Sequence, residues 1–161
     1  MSPYELRPAT DADAEAVAEI WCTGWREAHL GHLPDALVAV RTPESFRTRA
    51  AQHVADTAVA DAGGEVAGFV MVIGDEVEQV YVSAKHRGSG VAALLLAEAE
   101  RLLAAAGHRR AWLAVVAGNA RARRFYERCG WVDEGLFEHQ APIEGGTITV
   151  SAHRYVKSIM R

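Results

Sequence analysis

Arg87-Gly88-Ser89-Gly90-Val91-Ala92 follows a strand-like run at 77–82 and opens a leucine- and alanine-rich stretch with helical spacing. Strand, glycine-bearing loop and helix start, in that order, build a cradle for a pyrophosphate. Glycine lets the backbone come close to an anion, and the free N–H groups of the first helical turn point at it. The helix dipole adds favourable potential at the same end. The segment also fits Gly-x-Gly-x-x-Ala, the dinucleotide fingerprint, but that use wants an acid about 20 positions on, at a strand end. Beyond Gly107 the chain reads His108-Arg109-Arg110 and then apolar, with no acid before Asp133, which disfavours a dinucleotide.

Working outward, the apolar run 111–116 predicts a strand covered on both faces, and Glu76–Val82 predicts the strand that feeds the loop. Between them a helix is predicted over 90–106, with Val91, Leu95, Ala99, Leu102 and Ala106 on one stripe, Glu100 opposite and Gly107 as the stop. Upstream, segments 57–61 and 65–73 read as strands joined through Gly63-Gly64. A first strand is expected at 4–7. Thr10 with Asp13 suits an N-cap and its reciprocal acid, opening a helix to about Thr23 whose stripe is Val17, Ile20, Trp21 and Gly24/Trp25. Segments 33–40 and 44–55 read as two further helical pieces. Downstream, Asn119 caps a helix to about Cys129, and 131–139 with 147–156 form a hairpin around Gly145-Gly146. The order predicts an α/β domain of α+β type, spanning 1–161. It has a mostly antiparallel sheet of about seven strands, helices on its flanks and one crossover unit.

The chain has 161 residues and a formal net charge of −4, which gives a nucleic-acid-binding role no compositional support. Its two cysteines, Cys22 and Cys129, lack metal-type spacing and suit reduced thiols, so a cytoplasmic protein is expected. The start, Met1-Ser2-Pro3-Tyr4-Glu5, shows no secretory pattern, and no apolar run approaches the ~20 residues that span a bilayer. His29 and His32 stand three apart, but Gly31 and Pro34 spoil a regular metal-binding helix, so no metal is expected.

About one βα unit after the loop comes Asn119-x-x-Ala122-x-x-Phe125-Tyr126-x-x-x-Gly130-Trp131. This run and the loop, with Arg87, Gly90 and Ala92 at the positions of Arg/Gln-x-x-Gly-x-Gly/Ala, resemble the cofactor-binding half of the GCN5-related N-acetyltransferase (GNAT) family. The opening Leu6-Arg7-Pro8-Ala9-Thr10 is similar to that family's first strand and turn. The resemblance implies a splayed sheet and binding of acetyl-CoA as co-substrate, with no metal. Its pyrophosphate would lie on Arg87, Gly88, Ser89, Gly90, Val91 and Ala92. Its pantetheine arm would lie along the edge of Val80, Tyr81 and Val82, which can hydrogen-bond an extended diamide as it would another strand. Asn119 would meet the same arm, and Arg121 and Arg123 could reach the phosphates.

The implied chemistry is direct attack of an amine on the thioester carbonyl. A primary amine with a pKa near ~10.4 must first lose a proton at neutral pH, which a carboxylate can accept directly or through water. Glu76 stands at the family's strand-borne glutamate, with Glu78 two residues on and on the same strand face. The backbone N–H of Val80 matches the family's oxyanion donor, and Tyr126 matches the phenol that protonates the departing thiolate. The plain alternatives stand beside these roles: Tyr126 as a packed aromatic, Glu76 and Glu78 as solvated strand-edge charges. The acceptor site is expected between the segment from Trp21 to Val40 and the 139–147 hairpin, with Trp21, Trp25 and His29 as candidate contacts. A small-molecule amine is the expected acceptor. A protein N-terminus or lysine, and a non-catalytic acyl-CoA sensor, are the alternatives. A homodimer stays open.

Overall fold

The structure, a computed structural model, describes residues 2–159. Strand β1 (Glu5–Pro8) leads through a 3-10 turn into helix α1 (Ala14–His29), followed by α2 (Asp35–Val40) and α3 (Pro43–Gln52). Strands β2 (Thr57–Ala62), β3 (Glu65–Ile73) and β4 (Glu76–Val82) come next, then α4 (Val91–Ala105), β5 (Arg110–Val116) and α5 (Ala120–Arg128). The hairpin of β6 (Val132–Ile143) and β7 (Gly146–Ser158) completes the chain. The seven strands form one sheet in the order β1-β2-β3-β4-β5-β7-β6, with every pair antiparallel except β4–β5. That parallel pair is the crossover unit carried by α4, as the element order predicts. Among the described residues no helix is long and apolar enough to cross a membrane.

Period-2 alternation sorts the central strands onto two faces. Val70 joins Ala58, Ala60 and Ala67 in the core beneath α4, whereas its neighbours Phe69 and Met71 join Val59 beneath α1 and α3. The expected α1 stripe is buried, and Trp21, Phe46 and Phe69 pack ring against ring within it. Thr10 and Asp13 form the expected capping box, and Asp13 also receives Arg7 at 2.7 Å.

Four expectations change. Helix α1 runs six residues past Thr23, because Gly24 does not end it but lets it lie close on β4: a Cβ there would sit 2.4 Å from the Tyr81 ring. This extension carries Trp25, Glu27 and His29 to the site described below. The buried line of α4 is Val91, Leu95, Leu96, Ala99 and Leu103, not one ending at Leu102 and Ala106. The i, i+4 ridge is inclined to the helix axis, so its contact with the sheet drifts along the helix. Glu100 is not a solvated charge, since Lys157 Nζ reaches it at 2.9 Å and the Trp131 indole donates to it at 3.3 Å. Strand β5 is fully covered on one face only. Ala111, Leu113 and Val115 are buried under α4, while Trp112, on the other face, is half-buried beneath the Arg154 guanidinium, 4.4 Å from its ring centre.

Candidate active site

The parallel pair β4–β5 holds together by one register position, Glu76 opposite Trp112. Beyond it the two strands diverge, and β4 from Val77 to Val82 has no ladder partner on that side. Two features drive the opening. Strand β4 carries a bulge, because Val77 pairs with Val72 and Gln79 with Met71, leaving Glu78 as the extra residue. A bulge increases local twist and turns a strand away from its neighbour. Strand β5 meanwhile stays in register with β7 along its whole length, from Arg110 to Val116.

The gap widens into a cavity of about 880 Å³. At one end lies the loop before α4. Gly90 is the N-cap of that helix with φ of 86°, and Gly88 has φ of 77°; a Cβ built on either meets nothing within 4 Å. Their role is therefore conformational: only a left-handed backbone turns the chain here and leaves the first helical N–H groups free. Arg87 pairs with Glu27 of α1 at 2.6 Å. Of the residues expected at the cofactor, Val80, Tyr81, Val82, Arg87, Gly88, Gly90, Val91, Ala92, Asn119 and Arg121 all line this cavity. Ser89 does not: its hydroxyl donates to the His86 carbonyl and braces the loop from within. Asn119 caps α5 by accepting the Ala122 N–H at 3.2 Å. Arg123, near the same cap, turns away to Tyr155 and Asp133.

The middle of the cavity brings Glu76, Glu78 and Tyr126 to one wall system. Their environments differ. Burial, then the nearby carboxylates of Glu78 and Asp75, raises the Glu76 carboxyl from its ordinary 4.5 to about 7. Glu78 instead pairs with Arg49 at 3.5 Å. The bulge thus separates two carboxylates that a regular strand would place alike. Burial holds the Tyr126 phenol well above its ordinary range, so it keeps its proton at neutral pH.

The far end is walled by α1, the α1–α3 segment and the β6–β7 hairpin. Trp25 and His29 line it; burial lowers His29 to about 4, leaving it neutral at pH 7, and its Nδ1 has no partner. Trp21 is a correction. It is 0% exposed and lies outside the cavity wall, and the Arg49 guanidinium sits 4.4 Å above its ring. Its size and its position on the inner face of α1 put it in the core, where it supports a cavity residue rather than contacting a ligand. Reading the sequence missed Arg41 and Arg49, which both line this end. Arg41 is only 4% exposed, donates to the Pro142 carbonyl and leaves Nε without a partner. Burial, then repulsion from Arg49, lowers its pKa to about 10, so it stays charged at pH 7. His32 packs tightly on Gly118, where a Cβ would lie 2.4 Å from its ring, and so ties the segment after α1 to the loop before α5. Among the described residues no cluster of three or more His, Cys, Asp or Glu is placed to hold a metal.

Comparison with known proteins gives the same picture. The model of the acetyltransferase (GNAT) family matches residues 14–131. No curated protein matches the chain. Among solved structures, a GCN5-related N-acetyltransferase from Rhodopseudomonas palustris superposes with a TM-score of 0.75 at 22% identity, covering 98% of this chain and 97% of that one. The yncA putative acetyltransferase from Salmonella typhimurium, solved with acetyl-CoA, gives 0.73 at 19% identity over 98% and 95%. The PaiA N-acetyltransferase from Thermoplasma acidophilum, solved with coenzyme A, gives 0.72 at 18% identity over 98% and 99%. At these identities the structures speak to the fold, and the family match covers most of the sequence: the chain belongs to the acetyltransferase (GNAT) family.

Proposed function

We propose that the protein transfers an acetyl group from acetyl-CoA to a primary amine of a small molecule. The observation that carries this is one continuous cavity that brings together a glycine-turned helix start, an unpaired strand edge, a carboxyl raised to about 7 and a partly buried phenol. Acetyl-CoA supplies the activated thioester carbonyl. Its pyrophosphate suits the N–H groups and arginine of the 87–92 loop, and its pantetheine amides suit the free edge at Val80–Val82.

The acceptor nitrogen attacks the carbonyl carbon. A C–N bond forms, the C–S bond breaks, and its electron pair leaves on sulfur. The surplus amine proton passes to Glu76, directly or through water, and the Tyr126 hydroxyl protonates the sulfur. The Val80 N–H donates to the carbonyl oxygen as charge builds there. Trp25 and His29, which line the acceptor end, favour a small acceptor over a protein chain.

Thiol release from acetyl-CoA, measured across a panel of primary amines with mass detection of products, tests the reading. Turnover with small amines is expected. Tight acetyl-CoA binding without thiol release on any amine would mark a sensor, and acetylation confined to protein amines would mark a macromolecular substrate.

A further inference from the structure

The acceptor end of the cavity holds more positive charge than its immediate neighbours neutralise. Arg49 is matched by Glu78 at 3.5 Å, whereas Arg41, only 4% exposed, meets no carboxylate in an ion pair among the described residues. One of its nitrogens donates to the Pro142 carbonyl, and Nε is left without any acceptor. His29, on the same wall, is uncharged at pH 7 and has its own unpartnered Nδ1. A buried charge lacking a hydrogen-bonded counter-ion is costly, and its usual resolution is a partner of opposite sign. A guanidinium offers a planar fork whose donors match the two oxygens of a carboxylate.

From this we infer that Arg41, with Arg49 and His29 beside it, forms an anion subsite, so that the acceptor is a small amine carrying a carboxylate, of the amino-acid type. The inference rests on the transferase reading and narrows its acceptor. Glu76 and the subsite then divide the substrate between them. The carboxyl end of the substrate is held by cations at the hairpin side, and the amine end is turned toward the group that takes its proton. A polyamine or plain alkylamine would leave Arg41 uncompensated and would bring further positive charge beside it.

The test uses matched pairs that differ by one carboxylate: phenylalanine with phenethylamine, methionine with 3-(methylthio)propylamine, and β-alanine with ethylamine. The wild type should favour the carboxylated member of at least one pair in kcat/KM. Arg41→Gln should collapse that preference roughly 10- to 100-fold, mainly through KM for the carboxylated member, with KM for acetyl-CoA little changed. Arg41→Lys keeps the charge but loses the fork, and should fall between the two; it also serves if Arg41→Gln does not fold. Absence of any preference for the carboxylated members, or a preference that survives both substitutions, overturns the inference. Turnover of the plain amines alone would sink the subsite and leave the transferase standing. Acetyl-CoA binding with no amine acetylated in either set would remove both.

Discussion

The two ends of the cavity are built from different material. The end at residues 87–92 and the β4 edge is made of backbone: N–H groups, left-handed glycines and an unpaired ladder. The opposite end is made of side chains, namely Arg41, Arg49, His29 and the carboxyls of β4. A backbone site can bind only what backbone recognises, an anion or an extended amide, so it is nearly independent of the rest of the chain. A side-chain site depends on which residues three separate segments happen to bring together. The first end can stay constant while the second changes acceptor.

Four substitutions probe that division. Gly90→Glu places a side chain at a φ of 86° and a negative charge at the helix start. Like charges in contact cost several kcal/mol, so acetyl-CoA affinity should fall about 100-fold or more by calorimetry. Near-normal affinity in the folded variant would show that the backbone end does not hold the pyrophosphate. Tyr126→Phe removes one proton source from the middle of the cavity and leaves its walls in place. Turnover should drop by the ~10²–10⁴-fold typical of proton-transfer groups, with cofactor affinity nearly unchanged. An unaltered kcat, where chemistry is rate-limiting, would assign Tyr126 to packing.

Glu76→Gln should act more mildly at high pH and more sharply near neutrality. In the wild type kcat/KM should rise with pH through about 7, as the Glu76 carboxyl loses its proton and becomes able to accept one. The variant should lose that limb and recover only toward the amine's own pKa. Stability gives an independent reading. Between 4.5 and about 7 the folded protein holds a proton that the unfolded chain has released, so this group's contribution to stability falls as pH rises. The glutamine variant should therefore melt higher than the wild type at pH 8 and equal to it near pH 4, with roughly 2–4 °C for each kcal/mol recovered. A flat melting difference would mean that Glu76 titrates normally and is the wrong base. Glu78→Gln unpairs Arg49 and should act on acceptor KM.

The same division explains what could be read from the chain. Glycine positions, the Asn119 cap and the Glu76–Val82 run announce themselves locally, because turn geometry and capping depend on neighbours in sequence. The sheet, its crossover unit and the glycine turn before α4 were legible on those grounds. Arg41 and Arg49 were not, since each sits in a short helical region with nothing nearby to distinguish a buried arginine from a solvated one. Trp21 and Trp25 share a stripe one turn apart, yet only Trp25 reaches the cavity. Periodicity identifies the buried face of α1 and says nothing about where along that face the core gives way to a pocket. The bulge at Glu78 was equally hidden, because it is a property of two strands together.

The single ladder position that β4 and β5 share, at Glu76 and Trp112, also sets how the protein breathes. Amides of β4 that point away from β3 have no carbonyl across the gap, so their hydrogens should exchange with solvent much faster than those of the β2–β3 ladder beside them. A ligand that bridges the gap would slow exchange there first and tie the two halves of the sheet into one cooperative unit. Mass action then adds about 2.7 kcal/mol of stability at a ligand concentration of 100 Kd. The melting temperature of this fold would thus report how full its cleft is, and a cell short of acetyl-CoA would hold a looser protein than one well supplied.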